Sequence, residues 1–191
     1  MKKQIVIFII GLLIILAAGG VVYYYKFYKT VPPSGVNENQ NIPVGTIINF
    51  EECAAAGNPV MESYPRQCRA NGQTFTEYIG NELEKTDLIK IDSPRPNTIV
   101  TSPLEITGEA RGTWYFEASF PVKLFDGNGV QLAIIPAQAQ SDWMTENFVP
   151  YKATLEFEIP TTATGILVLE KDNPSGLPEN ADSLIVPVKF R

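Results

Sequence analysis

The chain contains no histidine, so any acid–base chemistry would have to come from its carboxylates. Without histidine, Ser-His-Asp and Cys-His catalysis are excluded, and the commonest metal ligand is missing. Glycoside hydrolysis needs two carboxyl groups that flank a cleft. The carboxyl pair closest together in the sequence, Glu156 and Glu158, lies on the polar face of a predicted strand. The enzymatic alternative is a cell-wall hydrolase built around Glu117, Asp142 or Glu146. Because a polar strand face is normally solvated, we expect a non-enzymatic protein with no catalytic residues and no cofactor.

The most specific local motif is the polar proline-glycine loop from Asp172 to Glu179, which lies between two apolar segments. Asp172, Asn173, Glu179 and Asp182 offer oxygen ligands of the kind that Ca²⁺ prefers. Their spacing differs from that of an EF-hand loop, so we expect no bound metal. We interpret the loop as a stiff, polar crossover in which Asp172 and Asn173 form hydrogen bonds to the loop backbone.

Aromatic side chains offer a second kind of binding chemistry, because exposed rings stack on sugars and peptides. The rings are concentrated between Trp114 and Tyr151, and the alternative is that most of them fill the core. Burial of Trp114 and Trp143 discriminates between the two, since a buried ring cannot stack on a glycan. From the rings and the polar loop, the candidate ligand-binding residues are Trp114, Tyr115, Glu117, Trp143, Asp172, Asn173, Ser175 and Glu179.

Both cysteines lie in one short segment, residues 47–80. A unit of about 33 residues buries too little apolar surface to be stable by core packing alone. A disulfide between Cys53 and Cys68 would close a loop of about 15 residues and contribute about 3 kcal/mol in an oxidising compartment. Two cysteines without histidine cannot complete a four-ligand zinc site, and their spacing is not C-x-x-C. We therefore expect a small disulfide-stapled α+β unit outside the cytoplasm.

Local signals predict the elements of this unit. Asn49 with Glu52 three residues later predicts the start of a helix of one or two turns, and Gly57 its end. The pair Asn71-Gly72 predicts a type I′ turn that leads into a strand over 74–79.

From Leu88 onward apolar residues recur with a period of two, which is typical of strands with one buried face. Turn signals separate the strands, among them the hairpin signal Asp126-Gly127-Asn128-Gly129. The pattern predicts an all-β, antiparallel β-sandwich domain over 88–191. The predicted strands cover 88–91, 104–108, 116–124, 130–134, 151–159, 165–169 and 184–190.

The start of the chain is strongly apolar: every residue from Ile5 to Val22 is apolar or glycine. A helix of this length spans the roughly 30 Å hydrocarbon core of a bilayer. We expect a transmembrane signal-anchor helix over 1–29 and a flexible linker over 30–46. A cleaved signal peptide with Ala17-Ala18-Gly19 as its cleavage site is the alternative. The expected location is a single pass in the cell membrane, with the N-terminus cytoplasmic and the folded domains extracytoplasmic.

The formal net charge of −6 argues against nucleic acid as a partner, because phosphate binding needs a basic surface. The expected partners are the membrane, through the N-terminal helix, and an envelope protein or cell-wall glycan.

Several motifs occur in order along the C-terminal region and carry a resemblance to a known family. They are Ser93-Pro94-Arg95-Pro96, Ser102-Pro103-Leu104, Gly108–Gly112, Trp114–Val122, Asp142–Thr145, Phe148 and Lys171–Glu179. On these motifs the region resembles the immunoglobulin-like domain of bacterial spore germination proteins. The resemblance implies an extracytoplasmic immunoglobulin-like β-sandwich with no catalytic residues to carry over. The expected function is therefore binding or structural organisation by a membrane-tethered cell-envelope protein, and the alternative is a glycan-binding or peptidoglycan-hydrolysing protein.

Overall fold

Strands account for most of the secondary structure. The computed structural model describes residues 47–190, so the predicted anchor (1–29) and linker (30–46) lie outside the described residues. Within the described range, no helix is both long enough and apolar enough to cross a bilayer.

The first part of the described chain forms a short helix and a three-stranded antiparallel sheet, in the order β1-β2-β3. The Asn49 side chain caps the helix by accepting a hydrogen bond of 2.8 Å from the backbone N of Glu52. Asn71 and Gly72 have φ values of 52° and 77°, as a type I′ turn requires, so the helix cap and the turn are both confirmed. The elements are α1 (Phe50–Ala55), β1 (Val60–Met61), β2 (Gln67–Ala70) and β3 (Gln73–Thr76).

The predicted disulfide is present and joins Cys53 in α1 to Cys68 in β2. Both cysteines are fully buried, and the only other buried residues packed with them are Phe50 and Ala70, as far as the described part of the chain shows. We call residues 47–80 the disulfide unit. Its apolar cluster is small, as expected for so few residues.

The rest of the described chain forms a seven-stranded sheet in the order β10-β9-β6-β7-β8-β5-β4. Strands β7 and β8 pair only at Gln138↔Lys152 and Ala139↔Tyr151, so the sheet folds over there into two layers, β10-β9-β6-β7 and β8-β5-β4. The predicted antiparallel sandwich is confirmed. The elements are α2 (Glu82–Lys85), β4 (Ile89–Ser93), β5 (Leu104–Arg111), β6 (Ser119–Asp126), β7 (Gln131–Ala139), β8 (Phe148–Leu155), β9 (Thr164–Glu170) and β10 (Ser183–Lys189).

The core lies between the two layers, and β5, β6, β8 and β9 contribute every second residue to it. In β6 the buried apolar residues are Phe120, Val122 and Leu124, each of them fully buried. Phe120 makes edge-to-face contacts with Tyr115 and Tyr151, whose ring centroids lie 5.2 and 5.0 Å away. The period of two therefore identified the inward face of these strands correctly.

One predicted strand begins later than expected. The pattern predicted a strand over 116–124, but Phe116 and Ser119 instead exchange backbone hydrogen bonds of 3.0 and 3.1 Å across a tight turn. The two central residues, Glu117 and Ala118, have φ values of 49° and 61°. Phe116 is therefore 43% exposed rather than buried. The alternation of Phe116 with Phe120 imitated a strand although the chain reverses between them.

The segment that follows the disulfide unit protects the outer edge of β10. The Asn81 side chain donates to the carbonyl of Ser183 at 2.9 Å and accepts from the backbone N of Ile185 at 2.7 Å, as a neighbouring strand would. Further along β10, the backbone N of Val100 donates to the Lys189 carbonyl at 2.8 Å. This edge is thus paired rather than open.

Polar contacts fasten the disulfide unit to the sandwich just beyond the end of β4. Arg95 forms an ion pair of 2.6 Å with Glu82 and donates a hydrogen bond of 2.6 Å to the Tyr64 hydroxyl. The Tyr64 hydroxyl in turn donates to Glu82. The Asn97 side chain donates to Glu77 at 3.0 Å. The described residues, 47–190, accordingly belong to one compact unit.

Candidate binding surface

Three loops lie together at one end of the sandwich. They connect β5 to β6 (112–118), β7 to β8 (140–147) and β9 to β10 (171–182). The end of β5 pairs with the start of β8, and the start of β6 lies beside the ends of β7 and β9, so all three loops leave the sandwich in the same direction. We call this surface the loop end. Loops on a rigid scaffold are frequent binding sites.

Close backbone contacts hold the three loops together. The backbone N of Gly112 donates to the Asn147 carbonyl at 3.1 Å, and the backbone N of Asp172 donates to the Trp114 carbonyl at 3.0 Å. A Cβ atom at Gly112 would lie 1.9 Å from the Thr145 carbonyl oxygen, so only glycine fits at this crossing. The three loops therefore form one surface.

The structure places the predicted aromatic residues mainly inside this end of the sandwich. Trp114 and Tyr115 are 1% and 4% exposed, and Trp143 is half-buried against the core. The Tyr115 hydroxyl donates to the Val149 carbonyl at 2.7 Å, and burial raises the pKa of Tyr115, which keeps this donor protonated. This burial excludes stacking on a surface glycan by Trp114 and Tyr115. Both side chains instead anchor the 112–118 loop to the core.

Two predicted carboxylates from distant parts of the sequence are brought close together. Glu117 is exposed at the tip of its loop, and Asp172 is half-buried at the start of the 171–182 loop. Burial raises the pKa of Asp172, and the negative charge of Glu117 raises it further. The loop end therefore carries concentrated negative charge.

The polar loop is stiffened by hydrogen bonds within itself. The Asn173 side chain donates to the Leu177 carbonyl at 2.8 Å and accepts from the Ser175 hydroxyl at 2.5 Å. The Ser175 oxygen also accepts from the Asn180 side chain at 3.0 Å. Asn173 and Ser175 thus support the loop, whereas Glu179 is exposed on a short 3₁₀ turn.

The carboxylates proposed for the enzymatic alternative do not line either described cavity. Two open cavities of about 180 and 440 Å³ are lined by residues within 65–84 and 92–105. Asp142 accepts a hydrogen bond of 3.1 Å from the backbone N of Met144 and so shapes the 140–147 loop. In the range 47–190, no three His, Cys, Asp or Glu side chains are grouped to hold a metal ion.

Each of the three loops presents one large apolar side chain to solvent. Phe116, Met144 and Leu177 are 43%, 77% and 49% exposed. Of the three, none was among the predicted ligand-binding residues. The available signal was an apolar residue inside a turn-rich polar segment, where no core-facing period accounts for it.

Comparison with known proteins identifies the part of the chain that carries this surface. Residues 88–176 match the family model described as the immunoglobulin-like domain of bacterial spore germination. The match covers just under half of the 191 residues and includes two of the three loops and the beginning of the third. We found no match among curated proteins or solved structures.

Proposed function

Since residues 88–176 are an immunoglobulin-like domain of the bacterial spore germination family, we propose that the protein is a non-enzymatic, membrane-tethered cell-envelope protein that binds another envelope protein through its loop end. One observation carries this proposal. Three loops that are distant in sequence each expose one large apolar residue, Phe116, Met144 and Leu177, at the same end of the domain.

The character of the loop end favours a protein partner over a glycan. Protein interfaces combine a few apolar anchors with a polar rim, and methionine adapts its shape to a partner surface. Met144 is the most exposed of the three anchors at 77%. Glycan binding would depend on flat exposed rings, and Trp114 and Tyr115 are buried.

Charge at the loop end supports a partner with basic groups around its contact site. The carboxylates of Glu117, Asp142, Glu146 and Glu179 are exposed there, while Lys171 is half-buried. Complementary charge at the rim of an interface mainly accelerates association. Salt screens this attraction, so association becomes slower at high ionic strength. We therefore expect partner binding that slows as ionic strength rises.

Membrane tethering is supported by the apolar segment from Ile5 to Val22, and an extracytoplasmic location by the disulfide. The disulfide unit contacts Arg95 and Asn97, which follow the last residue of β4. The first residue of β4, Ile89, pairs with Ala110 next to the loop end. In our proposal the loops thus extend away from these contacts, towards the partner.

Site-specific photo-crosslinking of the full chain tests the binding surface. A photoreactive residue at Met144, in cells that naturally produce the protein, is expected to capture one protein partner. The matched control is Asn128, which is exposed in the β6–β7 turn at the opposite end of the sandwich. Phe116→Ser should reduce capture at position 144 because it removes a neighbouring anchor. Equal capture from both positions would contradict the proposal.

Incubation of the purified full chain with peptidoglycan tests the non-enzymatic part of the proposal. We expect no release of soluble fragments. Turnover that is lost in Glu117→Gln, with the fold unchanged by circular dichroism, would instead establish the hydrolase alternative.

A further inference from the structure

The outward surface of the β10-β9-β6-β7 layer is apolar. Strand pairing places Ile134, Lys123, Val168 and Ile185 in one row across the four strands. The next row contains Phe125 and Ile166. We call this surface the outer face. Its exposed or half-buried apolar members are Pro121, Phe125, Ile134, Pro136, Ile166, Val168 and Ile185.

The charges at the centre of the outer face neutralise each other. Lys123 lies in the first row, and its Nζ is 2.7 Å from a carboxylate oxygen of Glu170. Ile134, beside Lys123 on β7, is 55% exposed. The centre of this surface is therefore apolar and electrically neutral, although the chain as a whole has a net charge of −6.

The other layer shows that the fold does not require an apolar outer surface. On the outward side of β8-β5-β4, Lys90 is 2.7 Å from Glu109, and Lys152 is 3.0 Å from Glu105. A sheet that faces water on one side normally carries polar residues there. An apolar outward side is instead typical of a surface that contacts another molecule.

We propose that the outer face is a dimerisation surface on which a second copy of this chain packs sheet against sheet. Sheets pack face to face about 10 Å apart when both surfaces are apolar. A second copy offers the same flat, neutral surface. Two acidic chains can meet there without opposing like charges at the centre, because Lys123 and Glu170 are already paired within each copy.

The size of the outer face indicates how strong this dimer should be. Four strands spaced about 4.8 Å apart, with five to seven residues of about 3.3 Å each, give roughly 300 to 450 Å² of flat area per copy. Two copies would bury roughly 600 to 900 Å², below the size of stable interfaces and within the range of transient ones. We therefore expect a weak, concentration-dependent dimer, separate from partner binding at the loop end.

Sedimentation velocity of the full chain in detergent, over a concentration series, tests the proposal. We expect reversible dimerisation, and we expect Ile134→Lys to weaken it more than about tenfold because the lysine would be desolvated in the interface. The matched control, Thr154→Lys, adds the same charge to an exposed position of β8 on the other layer and should leave dimerisation unchanged. A photoreactive residue at position 134, but not at position 154, should yield a covalent dimer.

Three outcomes would overturn the proposal. The first is a monomer throughout the concentration series. The second is a dimer that withstands Ile134→Lys, which would assign association to the N-terminal segment. The third is capture of a different protein at position 134. Val168→Thr keeps the branched shape and outward position of the side chain, so it provides a second test if Ile134→Lys impairs folding.

Discussion

The disulfide unit and the sandwich differ in the interactions that stabilise them. The sandwich core contains 22 buried apolar residues, whereas the buried cluster of the disulfide unit contains four, two of which are Cys53 and Cys68. Apolar burial grows with chain length, so the longer segment can rely on it and the shorter one cannot. A covalent link supplies the missing restraint.

The burial of ion pairs also differs between the disulfide unit and the sandwich. Glu77 and Glu82, which are 6% and 7% exposed, are bound by Arg66 and Arg95 at the disulfide unit and its junction with the sandwich. In the sandwich, by contrast, a pair such as Lys152 with Glu105 lies in solvent. The carboxylates of Glu77 and Glu82 are therefore more deeply buried than that of Glu105.

A core truncation should have the largest effect, and it tests the sandwich side of this comparison. Leu124 is fully buried, so Leu124→Ala should lower the free energy of unfolding by about 2 to 5 kcal/mol. Chemical denaturation monitored by circular dichroism measures the loss. Leu83→Ala, at a residue 54% exposed, is the control and should change stability by less than about 0.5 kcal/mol. Similar losses in both variants would contradict an apolar core at Leu124.

Removal of the disulfide tests how the disulfide unit is stabilised. The double variant Cys53→Ala with Cys68→Ala should cost about 3 kcal/mol, mostly within residues 50–76, because the unfolded loop gains freedom. Hydrogen exchange should accelerate in α1 and β2 while β6 and β9 keep their protection. Equal acceleration in β6 would show that the two parts unfold together.

Acid should weaken the disulfide unit through Glu77. The hydrogen bond from Arg66 lowers the pKa of Glu77, so the carboxylate stabilises the fold above its unfolded pKa, near 4.5. This contribution is lost as the pH falls through the lower folded value. Glu77→Gln should remove about 1.5 to 3 kcal/mol at neutral pH and flatten the decline in acid. Glu105→Gln, at an exposed pair, is the control. An unchanged pH profile in Glu77→Gln would contradict this role.

The smallest effect on stability is expected for the exposed ion pair on the outward side of the β8-β5-β4 layer. The Lys152 and Glu105 side chains are 47% and 61% exposed, so Lys152→Ala should cost only about 0.2 to 1 kcal/mol. Denaturation in low and high salt measures it, and the difference should shrink as salt rises. A loss well above about 1 kcal/mol that shrinks as salt rises would mean that ionic contacts stabilise both parts alike.

Short-range signals predicted the elements well, and long-range contacts decided the site. The Asn71-Gly72 turn and the alternating strand residues depend on nearby residues only, so they could be read from the sequence. The turn at Glu117 could not, because two non-glycine residues adopt positive φ there without a sequence signature. Its approach to Asp172 depends on strand pairing across more than fifty residues.

The sequence by itself determined which residues of each strand share a side, and that Cys53 and Cys68 were available to staple a short unit. Both follow from local geometry and cysteine count. Only the tertiary structure decided what covers the second side of each strand. The apolar run from Gly165 to Leu169 predicted a strand, and β9 lies between β10 and β6 with Ile166 and Val168 facing outward. A period of two identifies the inward side of a strand that has one polar side, but in a strand that is apolar on both sides, such as β9, only packing determines which side meets the core.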